Sequence, residues 1–293
     1  MEQYFFKILE RVIFIVIQPA KLTSLAKECL ENFESKKDLS YVVKSSMPIL
    51  YFGNIKKYFE SPIRIITVGL NPSKKEFPDP DPFLRFQSMK KDHYYDFNQQ
   101  YLAALNEYFQ DKPYKEWFDP AYEPLLNGLD ASFYGNMEST AIHTDICSSL
   151  ATNSTWETLS RSEQRELEIS GVQAWHKLVD YLEPDIILVS VSGAHLSKIA
   201  FETVNDWETV YTTQMDRPYL LNSKKVRLSS GKQSSIYFGR AAELPFGFIS
   251  SETKHLIGTY LKKLTEKPDF NPDFHQAYMY SAMDLDNDSE IFG

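Results

Sequence analysis

The chain has 293 residues, 43% hydrophobic and 14% aromatic, enough for a sizeable buried core. Its net charge of −9 argues against a general polyanion binder, yet seven of the acids crowd into 266–293 against Lys267, so the rest of the chain has room for a local basic groove. Two cysteines, Cys29 and Cys147, exclude a disulfide framework and a four-cysteine cluster, and fit a reducing, cytoplasmic setting.

The apolar stretch 4–17 is broken by Lys7, Glu10 and Arg11. It is too short to span a bilayer and lacks a small-residue cleavage site, so neither a membrane anchor nor a signal peptide is expected. Phe6, Leu9, Ile13 and Val16 fall near helical spacing, and a second helix is expected over 22–33. Ile63, Ile65, Ile66 and Val68 then read as a strand buried on both faces, as in a parallel sheet. Gly69 and Pro72 turn the chain out of it. Asn71 therefore sits at the carboxyl end of a strand, where open α/β sheets bind ligands. Pro78, Pro80 and Pro82 punctuate a loop ending at Phe83-Leu84-Arg85-Phe86. Residues 92–135 form an aromatic-rich insert with a helix over 97–109.

A second strand follows at 139–146, then a polar loop, 148–160, and a long helix over 162–182. Ser160 and Glu163 make its capping box, and Pro184 stops it. The third strand is 185–191, and 193–204 reads as a helix. After an irregular region the fourth strand is 234–239, and a last helix covers 251–264. Strands alternating with helices predict a three-layer α/β/α fold around a central, mostly parallel four-stranded sheet. On this reading 1–60 is an N-terminal helical extension, 61–265 the α/β domain carrying the insert, and 266–293 an acidic tail, either solvated or folded over a basic groove.

Gly69-Leu70-Asn71-Pro72-Ser73 resembles the Gly-Ile-Asn-Pro-Gly water-positioning motif of the mismatch-specific and thymine branch of the uracil-DNA glycosylase superfamily. Ile142-His143-Thr144-Asp145-Ile146-Cys147 resembles the second-strand motif, where the single-strand-selective branch has His-Asn-Leu-Cys. The stretches 153–167, 184–189 and 245–254 are similar to other patches of the superfamily, so the likeness spans roughly 63–265 in pieces. It implies a monofunctional, cofactor-free, monomeric DNA glycosylase that flips a base into a pocket and hydrolyses its N-glycosidic bond. Two departures stand out. No His-Pro-Ser triplet ends strand four, which runs instead into Phe238-Gly239-Arg240, and the four-cysteine iron–sulfur site of some branches is missing.

The resemblance gives each candidate a role. Asn71 would hold the attacking water, or else cap its own turn. Gly69, Leu70, Pro72 and Ser73 would shape the pocket, and Phe86, or Phe83, would stack on the base. Asp145 falls where an asparagine amide normally reads uracil. A carboxylate only accepts hydrogen bonds, so it favours the exocyclic amine of a cytosine-type base, modified or plain, over O4 of uracil. The alternative is that Asp145 caps the following loop or pairs with a basic residue. His143 shares its strand face, as a further pocket residue or a structural one. His195, past strand three, would face the cleft or cap its helix. Arg240 would stabilise the departing base anion or clamp a phosphate, or else pair with Glu243. Lys74, Lys75 and Lys254 would neutralise phosphates at the rim. Two other classes remain open: a binding module of this fold without catalysis, and a small-molecule hydrolase or sensor.

Overall fold

The computed structural model describes residues 2–90, 97–214 and 217–266, with side chains from residue 19 onward. Helices α1 (Glu2–Lys36) and α2 (Ile55–Glu60) precede strand β1 (Ile65–Gly69). Helices α3 (Phe97–Glu107), α4 (Lys115–Ala121) and α5 (Glu123–Gly128) follow, then the short strands β2 (Ala131–Ser132) and β3 (Ser139–Thr140) and strand β4 (Ile142–Asp145). Helix α6 (Arg161–Leu182), strands β5 (Ile186–Val189), β6 (Glu202–Thr203), β7 (Glu208–Thr212), β8 (Leu220–Arg227) and β9 (Gln233–Gly239), and helix α7 (Ser251–Glu266) complete the order.

Every residue of β1, β4 and β5 is buried, which requires a covering layer on each face. The two covers of β4 differ. Thr144 points to α6, where its hydroxyl accepts a hydrogen bond from the Trp175 indole at 3.0 Å. His143 and Asp145 alternate to the opposite face, where rings from α4 and its flanks surround His143. The insert is thus a core layer and a wall of the site at once.

β4, β1, β5 and β9 pair in that order, all parallel. The sheet does not stop at these four strands. β8 runs antiparallel to β9, and β6 and β7 pair antiparallel along its other edge, giving a mixed, seven-stranded sheet. The expected four-stranded sheet is its parallel half. The added strands escape a hydrophobicity reading: β6 and β7 lie at the edge with no buried residue, and Lys224, Lys225 and Arg227 break any apolar run in β8. The expected helix over 193–204 is a 3₁₀ turn, Gly193–Lys198, followed by β6. There the Ala200 amide donates to His176 Nε2 at 3.1 Å, which draws the chain out of helical pairing.

The N-terminal region holds one long helix through Pro19, not two. The apolar spacing expected over 6–16 involves side chains outside the described ones, and the acidic tail beyond Glu266 lies outside the described residues. Residues 42–53 build into the main core. Phe52 and His143 exchange backbone hydrogen bonds of 2.9 and 3.0 Å along the outer edge of β4, and Leu22, Phe33, Met47 and Tyr58 belong to the same buried cluster as the sheet. Among the described residues no helix is long and apolar enough to cross a membrane.

Candidate functional site

β1 and β4 end side by side, with Gly69 opposite Asp145 and Thr67 opposite His143. Gly69 is required by what lies over it. A Cβ there would meet Asp145 Oδ1 at 2.5 Å and His143 Nε2 at 3.0 Å. The glycine therefore lets two polar side chains of β4 lean across the neighbouring strand. The Thr67 hydroxyl and His143 Nδ1 share a 2.7 Å hydrogen bond, and His143 Nε2 lies 3.6 Å from Asp145 Oδ1. Rings of Phe52, Trp117, Phe118, Tyr122 and Phe133 surround the imidazole at 5.2–6.5 Å. Its orientation is fixed by packing as well as by hydrogen bonding.

These residues open onto a cavity of about 90 Å³, walled by Phe52, Leu70, Trp117 and Phe118 and edged by Asn71, Glu76, His143 and Asp145. Pro72, Ser73 and Tyr114 complete its lining. An apolar cavity of about 150 Å³ takes up benzene, and sites for drug-sized ligands run to about 300 Å³ or more. At about 90 Å³ this one is smaller than either, so most of any ring-sized ligand is held outside it unless the walls shift.

The Asn71 amide nitrogen donates to Thr152 Oγ1 at 2.8 Å, to the Pro72 carbonyl at 2.9 Å and, more weakly, to the Leu150 carbonyl at 3.4 Å. The turn is thereby tied to loop 148–160 through the amide nitrogen. Its Oδ1 accepts no hydrogen bond among the described residues and remains available to a ligand or water. Of the two alternatives for Asp145, pairing with a basic residue is met by His143 Nε2 at 3.6 Å, and loop capping is not seen. The amides of Ile146, Cys147 and Ser148 donate to the carbonyls of Gly69 and Leu70, and none donates to the Asp145 carboxylate.

Glu76 is a member of the site that the sequence does not announce. It is 4% exposed and accepts a 2.5 Å hydrogen bond from Tyr108, with Arg85 Nε at 4.0 Å. Burial pushes its carboxyl up to about 7, with the Asp145 charge adding to the rise and Tyr108 and Arg85 opposing it. The site thus pairs a carboxyl that keeps its proton near neutrality with a second carboxyl, Asp145. Among the described residues no lysine or arginine lines the cavity. Outside it the sign reverses. Lys75 and Arg85 both lie 5.3 Å from the Tyr114 ring, and Arg85 also donates to the backbone carbonyls of Lys75 and Lys112. Exposed Lys74 is paired with Asp79 at 3.7 Å.

Several expected members stand elsewhere. Phe86 stacks on Phe77 at 5.3 Å inside the core, with Phe83 edge-on to Phe77, so neither lines the cavity; Tyr114, Trp117, Phe118 and Phe52 do. Arg240 is exposed, its guanidinium 5.4 Å over the Phe248 ring. Where the missing triplet would begin, Tyr219 and Phe246 close over Gly239, within 2.3 and 2.7 Å of a Cβ position, and fill that end of the sheet. His195 is buried against Glu157 and Cys147, away from the cavity lining. Lys254 is 4% exposed and donates to the Pro120 carbonyl at 2.6 Å, so it is a structural cation and no phosphate contact. The aromatic density of 108–122 was the one signal for the new wall, while nothing local marked Glu76. No family model and no curated protein matches the chain, so the functional reading rests on the site itself.

Proposed function

We propose that the chain is an N-glycosidic bond hydrolase, a DNA glycosylase acting on a flipped cytosine-type base. The observation carrying this reading is that Asn71 and Asp145 meet at one small aromatic-walled cavity. The Asp145 carboxylate at the cavity edge, with no lysine or arginine in the lining among the described residues, favours a base offering an exocyclic amine, which Asp145 accepts. A basic rim around Tyr114 suits phosphates that stay outside. With Arg240 remote, the base leaves as a neutral species. The glycosidic electron pair goes to the base, which takes a proton from the Glu76 carboxyl. A water whose O–H donates to Asn71 Oδ1 attacks the sugar carbon and sheds its proton to solvent. The base-excision setting follows from such an activity, and action on modified phage DNA is one form of it.

The test is an oligonucleotide panel, single-stranded and duplex, carrying cytosine, 5-modified cytosines, uracil or thymine, each treated with alkali after incubation. Scission at cytosine-type positions is expected. Asn71→Ala should lower it at least about a hundredfold while binding persists. Intact strands for every base would overturn the reading. One observation favours a second reading, a base-binding module without hydrolysis: Tyr219 and Phe246 fill the sheet end from which related chemistry would come. Salt-sensitive binding without scission would establish it.

A further inference from the structure

Past the end of β4, on the side covered by α6, three donors of different type lie together. Ligand atoms of Cys147, Glu168 and His195 all fall within 4.8 Å of one another. We propose that they form a zinc site, with Cys147 Sγ, His195 Nδ1 and one Glu168 carboxylate oxygen as protein ligands and water as the fourth. Donors bound to one zinc at about 2.0–2.3 Å lie about 3.3–3.6 Å apart in a tetrahedron. Cys147 Sγ and His195 Nδ1 are 3.9 Å apart, within a small adjustment of that spacing. His195 Nε2 is 2.9 Å from Glu157 Oε1. A carboxylate holding the far ring nitrogen fixes the imidazole so that Nδ1 presents its lone pair to a metal. Thiolate, imidazole and carboxylate together select zinc over magnesium or calcium.

The fold holds this geometry in place. A Cβ on Gly171 would stand 2.0 Å from the Cys147 carbonyl oxygen, so only a glycine lets α6 bring Glu168, one turn earlier, against Cys147. A cysteine–histidine–carboxylate line is also what an activated nucleophile requires. Cys147 is 0% exposed, which bars substrate and removes that reading. Lys198 Nζ pairs with Glu168 Oε1 at 2.9 Å, leaving the second oxygen to the metal. It is the built-in competitor, since an ammonium beside the site opposes a dication.

The metal would act as a clamp. It joins α6 and the turn after β5 to Cys147, whose amide donates to the Leu70 carbonyl at 2.9 Å in the loop before Asn71. It does not touch the cavity, so the inference stands apart from the proposed hydrolysis. The experiment uses the full chain stripped with a chelator, incubated with zinc chloride or cobalt chloride, and dialysed. One metal per chain is expected, with a thiolate-to-cobalt charge-transfer band and a higher melting temperature in zinc. Cys147→Ala and His195→Gln should lose all three. Lys198→Met, at the partly exposed margin, should bind several-fold more tightly. Folded wild-type protein that retains no metal, or a cobalt spectrum without the thiolate band, would overturn the proposal. So would binding weakened by Lys198→Met.

Discussion

Glu76 and Asp145 face one cavity, and their difference in environment divides the work between them. Folded Glu76 keeps a proton that the unfolded chain gives up, because burial lifts its carboxyl to about 7. Between the ordinary carboxylate range and about pH 7 the native state therefore binds more protons than the unfolded one. Stability falls as pH rises across that window and levels off above it. Glu76→Gln keeps an acceptor for Tyr108 and removes the charge, so it should gain up to about 3 kcal/mol over wild type above pH 7 and nothing near pH 4. Urea unfolding across pH measures this, and parallel curves for the two proteins would sink the assignment. Any hydrolysis should decline as pH climbs through about 7, and the Gln variant should lack that limb. Asp145→Asn turns an acceptor-only edge into one that also donates. Base preference should shift towards uracil in competition assays, and an unchanged preference would remove Asp145 as the edge reader. Asn71, His143 and Asp145 were legible because a strand end, a turn and alternation are local. Glu76 was not, since what makes it an acid is Tyr108 and the insert closing over it. Phe86 was misplaced for the same reason: twenty phenylalanines offer many stacking candidates, and only tertiary packing separates the cavity wall from the core.

Elements that were read correctly carry a signal of their own. β1 is a fully buried run of strand formers broken only by Thr67, β5 is an unbroken apolar run, and α6 opens with a capping box at Ser160 and Glu163. The edge strands lacked such a signal because their pairing with β8 and β9, and not their hydrophobicity, holds them. Gly171 separates propensity from packing with a change of sign. In an exposed helix, glycine to alanine gains about 1 kcal/mol. Here the new methyl would stand 2.0 Å from the Cys147 carbonyl oxygen, a backbone atom that cannot swing aside. Overpacking of this kind costs about 1–3 kcal/mol or more. Gly171→Ala should therefore lose about 2 kcal/mol in chemical denaturation, and a gain would show that α6 does not press on that loop.

At the scale of the whole molecule, one buried cluster reaches from the N-terminal region to the last helix. It runs from Leu22 to Leu261. The N-terminal region also supplies a piece of the site. Phe52 lines the cavity, pairs with the backbone of His143 and packs against Tyr108 at 4.6 Å and Phe118 at 5.6 Å. Removing 1–60 would uncover the outer edge of β4, whose remaining partner is β1, and expose the apolar faces on which Leu25, Cys29 and Phe33 now rest. An open strand edge beside an unroofed aromatic cluster invites pairing between molecules. A chain of 61–266 should consequently aggregate, or unfold without a cooperative transition, although it retains all four parallel strands. Removing 1–20 alone spares Leu22, Leu25 and Phe52 and should leave a cooperative fold. Circular dichroism during urea titration of both truncations decides the matter. Cooperative unfolding of 61–266 at the full chain's midpoint would mean that the segment carrying Phe52 is an attachment, and that the cavity wall it forms is incidental to the fold.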